Sequence, residues 1–269
     1  MPCVEVRGSR VEYLDAGSGD AVVLLHSSAS SAAQWRALAG QLSERYRVLA
    51  PDLYGYGASA RWPGHGAFKL AHEAEIVHAL LDQVGAQAHL VGHSYGGAVA
   101  LHAARTRGGR FLSLVLIEPV AFYLLADRAE IAAVAEGVQR AVASGDYMGG
   151  CREFYEYWSG RGSWDAVPAA KQDAMARLMA KVAIEFHAAF SEPAGLADHR
   201  RISVPTLLLL GERSPKPTRR ICELLAATLG DARLQIVEGA GHMSPLTHRD
   251  AVNALIAEHL AAQLEEVGV

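Results

Sequence analysis

The 269 residues carry 25 Lys and Arg against 29 Asp and Glu, a net charge of −4, and 51% of them are hydrophobic. Such a chain can bury one large core with an insertion, and its charge is too balanced for a nucleic-acid or anionic-membrane surface. Cys3, Cys151 and Cys222 are far apart and fit no metal or redox spacing, so reduced thiols in the cytoplasm are expected. Met1-Pro2-Cys3-Val4-Glu5 has neither the basic nor the apolar region of a signal peptide. Apolar runs such as Leu207 to Leu210 are far too short to span a bilayer.

Along the chain, Val4 to Arg7 and Val11 to Asp15 read as a hairpin turning at Gly8-Ser9-Arg10. Ala21 to His26 is a continuous apolar run, as in a strand buried on both faces. A helix from Trp35 to Tyr46 precedes the strand Arg47 to Asp52, and a helix from Glu73 to Val84 is closed by Gly85. Then come the strand Ala86 to Val91, a small-residue helix from Ala98, and the strand Phe111 to Ile117. After a long interruption follow the strand Thr206 to Leu210, a helix from about Thr218 to Leu229, the strand Leu234 to Val237, and a helix from about Asp250 to Leu264.

This alternation predicts an α/β fold: a mostly parallel, doubly wound sheet of about eight strands. The interruption reads as helices at Asp127–Ser144, Asp146–Trp158 and Pro168–Phe190, forming a cap inserted in the core. Residues 1–119 and 202–269 are then the core, and 120–201 the cap. Parallel sheets place ligands beyond the carboxyl ends of their strands. His26, Asp52, Ser94, Glu118 and Glu212 stand at those ends.

Gly92-His93-Ser94-Tyr95-Gly96 lies between strand and helix. A serine hydroxyl is a weak nucleophile until a sharp turn exposes it and a base activates it, and the flanking glycines permit that turn. Of the twelve histidines, His242 in Glu238-Gly239-Ala240-Gly241-His242 follows the last strand and could serve as that base. His89, His93, His102 and His187 read as packing or surface residues, with His93 a candidate support because it adjoins Ser94. No G-x-G-x-x-G follows the first strand and no His/Asp/Glu set has metal-ligand spacing, so neither a cofactor nor a metal is expected. Phe154-Tyr155-Glu156-Tyr157-Trp158 and Trp164 could line an apolar pocket or pack the cap onto the core.

Together, Leu24-Leu25-His26, Pro51 to Ser59, the turn at Gly92–Gly96, Pro205 to Gly211 and Gly239 to His242 resemble the α/β-hydrolase family over nearly the whole chain. The resemblance implies a serine hydrolase with Ser94 as nucleophile and His242 as base. Family members commonly carry the orienting Asp in a G-x-x-D loop, but here Gly211-Glu212-Arg213-Ser214 puts serine at that place. Glu118, which ends the strand after the nucleophile helix, is the expected acid, as in certain haloalkane dehalogenases; Glu212 is the alternative. Pro119 disfavours helical backbone at Glu118. By the same resemblance the backbone N–H groups of Ser28 and Tyr95 form the oxyanion hole, although His26-Ser27 replaces the usual His-Gly.

The expected activity is cleavage of a small or medium carboxylic ester or similar acyl compound through an acyl-enzyme. A C–C bond hydrolase of diketone-like ring-fission products, and a ligand-binding homologue without catalysis, are the alternatives. Dehalogenase and epoxide hydrolase chemistry would need a carboxylate in place of Ser94. The partner is a small molecule, with no nucleic acid and no membrane; a homodimer stays open, as do the substrate and the cap residues lining its pocket.

Overall fold

The computed structural model describes residues 1–266. Strands β1 (Cys3–Val6), β2 (Ser9–Ala16), β3 (Ala21–Leu25), β4 (Arg47–Pro51), β5 (Ala88–His93), β6 (Phe111–Ile117), β7 (Thr206–Gly211) and β8 (Ala232–Val237) form one sheet in the order β1-β2-β4-β3-β5-β6-β7-β8. The hairpin strands β1 and β2 run antiparallel, and all pairings from β4 to β8 are parallel. The doubly wound sheet expected from the alternation of strand and helix is therefore present.

Each central strand sends alternate side chains to opposite faces, the period of a pleated strand. Leu90, Leu114 and Leu116 enter one core; Val91, Val115 and Ile117 enter the other. The first core holds α2 (Leu70–Val84) and α3 (Tyr95–Thr106) against the sheet. On the other face, α1 (Arg36–Leu42) contributes Leu38 and Leu42. The helices α4 (Ala129–Ser144), α5 (Tyr147–Ser159), α6 (Ala169–Ala176), α7 (Met179–Ser191) and α8 (Leu196–His199) lie between β6 and β7. The chain ends with α9 (Lys216–Thr228), α10 (Ser244–Thr247) and α11 (Arg249–Glu266), and Val252, Ile256 and Leu260 of α11 pack beside α1's core.

Several boundaries differ from the sequence expectation. The helix expected over Trp35–Tyr46 is a 3₁₀ turn, Ala32–Trp35, followed by the shorter α1. Helix α3 starts at Tyr95 rather than Ala98, because Ser94 itself makes the turn into it. The single cap helix expected over Pro168–Phe190 is broken into α6 and α7 at Arg177-Leu178. No glycine or proline marks that break. Gly85 does close α2, in the left-handed region with φ 72°.

Candidate active site

Ser94 sits between β5 and α3 with φ 56° and ψ −115°, a conformation that costs about 1–3 kcal/mol and persists only where its surroundings impose it. They do so through both its peptide groups. Its N–H donates to Ile117 O at 2.9 Å, and its carbonyl accepts from Ala98 and Val120 N–H, each at 3.1 Å. A Cβ at Gly96 would stand 2.5 Å from the backbone oxygens of Leu25 and His26, so only glycine lets α3 approach β3 this closely.

His242, in the loop after β8, places its ring between two partners. Its Nε2 lies 2.9 Å from Ser94 Oγ and its Nδ1 lies 2.8 Å from Glu118 Oε2. A carboxylate only accepts, so Nδ1 carries the hydrogen and Nε2 is left to accept from the serine hydroxyl. Glu118 is fully buried and takes four hydrogen bonds. Gly211 N–H (2.9 Å) and the Ser214 hydroxyl (2.5 Å) donate to Oε1, while the Thr218 hydroxyl (3.0 Å) and His242 donate to Oε2. Burial alone would raise the Glu118 pKa; the facing His242 and these donors outweigh it and hold the group at about 2.

Ser214, standing where family members commonly carry the Asp, is thus a donor to the carboxylate that follows β6. Pro119 disfavours right-handed helical backbone at Glu118, and φ there is 43°, in the left-handed region. That turn carries the Glu118 carboxylate into the donor set. Glu212 is exposed, and its carboxylate accepts from Gly239 N–H at 2.8 Å instead of meeting His242.

The other strand-end groups are structural. His26 is fully buried, donates from Nδ1 to Ser27 O (2.8 Å) and accepts at Nε2 from Leu53 N–H (3.0 Å). Burial lowers its pKa to about 4. Asp52 accepts from the N–H groups of Ala32 (2.7 Å) and Ala58 (3.0 Å), tying the loop after β4 to the serine-rich loop after β3. Ser28, from that serine-rich loop, and Tyr95 line the same cavity as Ser94.

His93 has a role the sequence only hinted at. Its Nε2 faces the His242 carbonyl at 2.9 Å, and its Nδ1 faces Gln34 Nε2 at 3.1 Å. Gln34 Oε1 in turn accepts from both the N–H (3.2 Å) and the hydroxyl (3.0 Å) of Ser27. One chain of hydrogen bonds therefore joins the Ser27–Ser28 loop to the backbone of His242. Burial, then the neighbouring His242, lower the His93 pKa to about 3, so His93 spans this chain as a neutral imidazole.

The helical insertion closes over Ser94. Phe154 and Trp158 of α5 line the cavity, and the Trp158 ring lies 4.0 Å from the His242 ring, centroid to centroid. Tyr157 turns away to donate to Glu130 at 2.9 Å, and Trp164 packs edge-on against Tyr155. A buried polar cluster at this interface has no counterpart among the sequence expectations. Lys181 Nζ of α7 lies 2.9 Å from Glu73 of α2 and 2.6 Å from Glu185, and the Tyr56 hydroxyl donates to Glu185 at 2.8 Å. Lys181 also stacks over the Phe68 ring at 4.3 Å. Four residues from three distant segments meet here, which no local pattern announces.

Among the described residues no helix is long and apolar enough to cross a membrane. Residues 22–255 match the profile of the Alpha/beta hydrolase family. A non-heme haloperoxidase of Rhodococcus erythropolis is 31% identical over 278 residues, covering 94% of this chain and 97% of that protein. A 2-hydroxy-6-oxo-2,4-heptadienoate hydrolase of Pseudomonas putida is 41% identical over 120 residues, 42% of each chain. The chain spans only about a third of the length of the first curated relatives it matches, 32% and 37%. Among solved structures, an alpha/beta hydrolase from a deep-sea metagenome library superposes with a TM-score of 0.84 over 97% of both chains, at 18% identity. With a full-length relative, a profile match over most of its length and the matching fold, this chain belongs to the alpha/beta hydrolase family.

Proposed function

We propose that the protein is a serine hydrolase that cleaves a small or medium carboxylic ester, or a similar acyl compound, through an acyl-enzyme. The observation behind this reading is the continuous chain from Glu118 through His242 to Ser94, at 2.8 and 2.9 Å. Ser94 Oγ attacks the carbonyl carbon while its proton passes to His242 Nε2. Glu118 keeps the ring oriented and stabilises the imidazolium. The backbone N–H groups of Ser28 and Tyr95 receive the charge that develops on the carbonyl oxygen. His242 then gives the proton to the departing alcohol, and water repeats the sequence to release the acid. Trp158, against the His242 ring, limits solvent access to the imidazolium.

In this reading residues 1–119 and 202–269 are the catalytic core and 120–201 the cap that shapes the substrate site. The free thiols of Cys3, Cys151 and Cys222 support a cytoplasmic location. A fluorophosphonate probe should label the protein covalently, and Ser94→Ala should abolish labelling and ester hydrolysis together. Labelling that survives in Ser94→Ala refutes the assignment. The Pseudomonas putida relative supports a second reading, hydrolysis of a C–C bond in a ring-fission diketone by the same residues. Assay of vinylogous diketones beside aryl esters separates the two.

A further inference from the structure

Ser94 stands where two cavities meet. The outer one, about 460 Å³, is lined by residues that include Gly241, His242, Met243, Lys171, Ser163 and Thr247. The inner one is narrow, about 20 Å³, and is walled by Val120, Phe122, Val182, Phe186 and Ala189, with Glu185 among them. Ser28, Ser94, Phe154 and Trp158 border both.

The placement of His242 sorts the two halves of an ester between them. A departing alcohol takes its proton from His242 Nε2, and His242 lines the outer cavity and not the inner one. The alcohol half therefore lies outward. The acyl half is left with the inner cavity, which Tyr95 lines and the outer cavity lacks.

The inner cavity has one charged lining residue, and it is an acid. Glu185 is 1% exposed, and its two oxygens are occupied by Lys181 Nζ at 2.6 Å and the Tyr56 hydroxyl at 2.8 Å. Lys181 is not a lining residue, and it is already shared with Glu73 at 2.9 Å. An incoming carboxylate would lose its water there without gaining a cation, the costliest way to bury a charge. The rest of the lining is apolar apart from Ser28 and Ser94 at its mouth and Tyr95, whose hydroxyl is buried without a partner among the described residues.

We propose that the inner cavity is the acyl site, that it takes short uncharged acyl groups, and that Glu185 is the residue that excludes acyl groups ending in a carboxylate. This rests on the serine-hydrolase reading above. The test compares p-nitrophenyl acetate, pentanoate and octanoate with the p-nitrophenyl monoester of glutaric acid, which matches pentanoate in length and adds the terminal charge. The expected kcat/KM for the glutarate monoester is at least 100-fold below that for pentanoate, and octanoate falls at least 10-fold below pentanoate. Glu185→Gln leaves one carboxylate with Lys181, a neutral pair, and should narrow the glutarate gap to 10-fold or less, with thermal unfolding recorded to show the variant is folded.

The wild-type series decides whether the inner cavity rejects a charged acyl group even if that variant does not fold, and a folded Glu185→Gln that keeps the 100-fold gap overturns the assignment to Glu185. Glutarate monoester hydrolysed as readily as pentanoate overturns the assignment while leaving the hydrolase reading intact. If no ester of the series is hydrolysed and Ser94 stays unlabelled by fluorophosphonate, the hydrolase reading falls and this assignment falls with it.

Discussion

Replacing Glu118 by glutamine removes one negative charge and adds two donor hydrogens at a place where four donors already converge. With the imidazolium charge about 4 Å from the carboxylate charge and an effective dielectric near 20, the lost attraction is roughly 4 kcal/mol. That corresponds to a fall in turnover of about 10²–10⁴, the range expected when a triad acid is neutralised. The amide NH₂ must also face one obligate donor, Gly211 N–H or His242 Nδ1–H, because the Ser214 and Thr218 hydroxyls can turn to accept; the opposed group costs about 1–3 kcal/mol in stability. If the NH₂ takes the Oε2 side it opposes His242 Nδ1–H and drives the ring to the wrong tautomer. The assay is kcat/KM on an activated ester for wild type, Glu118→Gln and Glu212→Gln, with circular dichroism to show that each is folded. Glu212→Gln should stay within about twofold, because its carboxylate meets only Gly239 N–H and surface groups away from the reaction change turnover little. A folded Glu118→Gln within threefold of wild type would refute the reasoning.

Three further outcomes are expected from the same geometry. Gly96→Ala should lose more than about 2 kcal/mol of stability and most activity, measured by denaturant unfolding and turnover, because its methyl meets backbone oxygens that cannot move aside. Gln34→Ala cuts the link from Ser27 to His93 and should lower kcat about tenfold with little change in KM, the pattern of a lost transition-state interaction. Folded-state pKa values of about 4 for His26 and about 3 for His93 lie below the ordinary value of 6.5. The unfolded chain therefore binds more protons, so the stability these groups contribute is complete above pH 6.5 and is lost as pH falls from there toward 3. Glu118, held at about 2 against an ordinary 4.5, adds a second loss between pH 4.5 and 2. Urea midpoints measured from pH 8 to pH 4 should fall continuously below about pH 6.5; a flat profile there would contradict the buried neutral histidines.

Much of this site is legible in the chain because its signals are local. Gly92 and Gly96 are spaced for one tight turn, and the apolar run before them and small residues after them set that turn between strand and helix. His242 is readable from the glycine-bearing loop after the last strand. The carboxylate that faces His242 is harder to read, since its position depends on which strand neighbours which. Glu118 follows β6, and β6 lies beside β7, so Gly211 and Ser214 at the end of β7 can donate to it. Read alone, Ser214 is only a missing carboxylate. The break between α6 and α7 has no local punctuation in the sequence.

The period of the elements and the conformational freedom of the glycines are written in the chain, and they suffice for a doubly wound sheet with a serine at a sharp turn. Those are properties of neighbouring residues, and they survive without knowledge of the fold. Packing of whole elements sets which carboxylate meets His242, how His93 and Gln34 join the two loops, and why Lys181, Glu73, Glu185 and Tyr56 share one buried cluster. Most of the partners in each case are tens of residues apart or more, and a buried charge or donor must find its partner wherever the packed elements bring one, whatever the spacing along the chain.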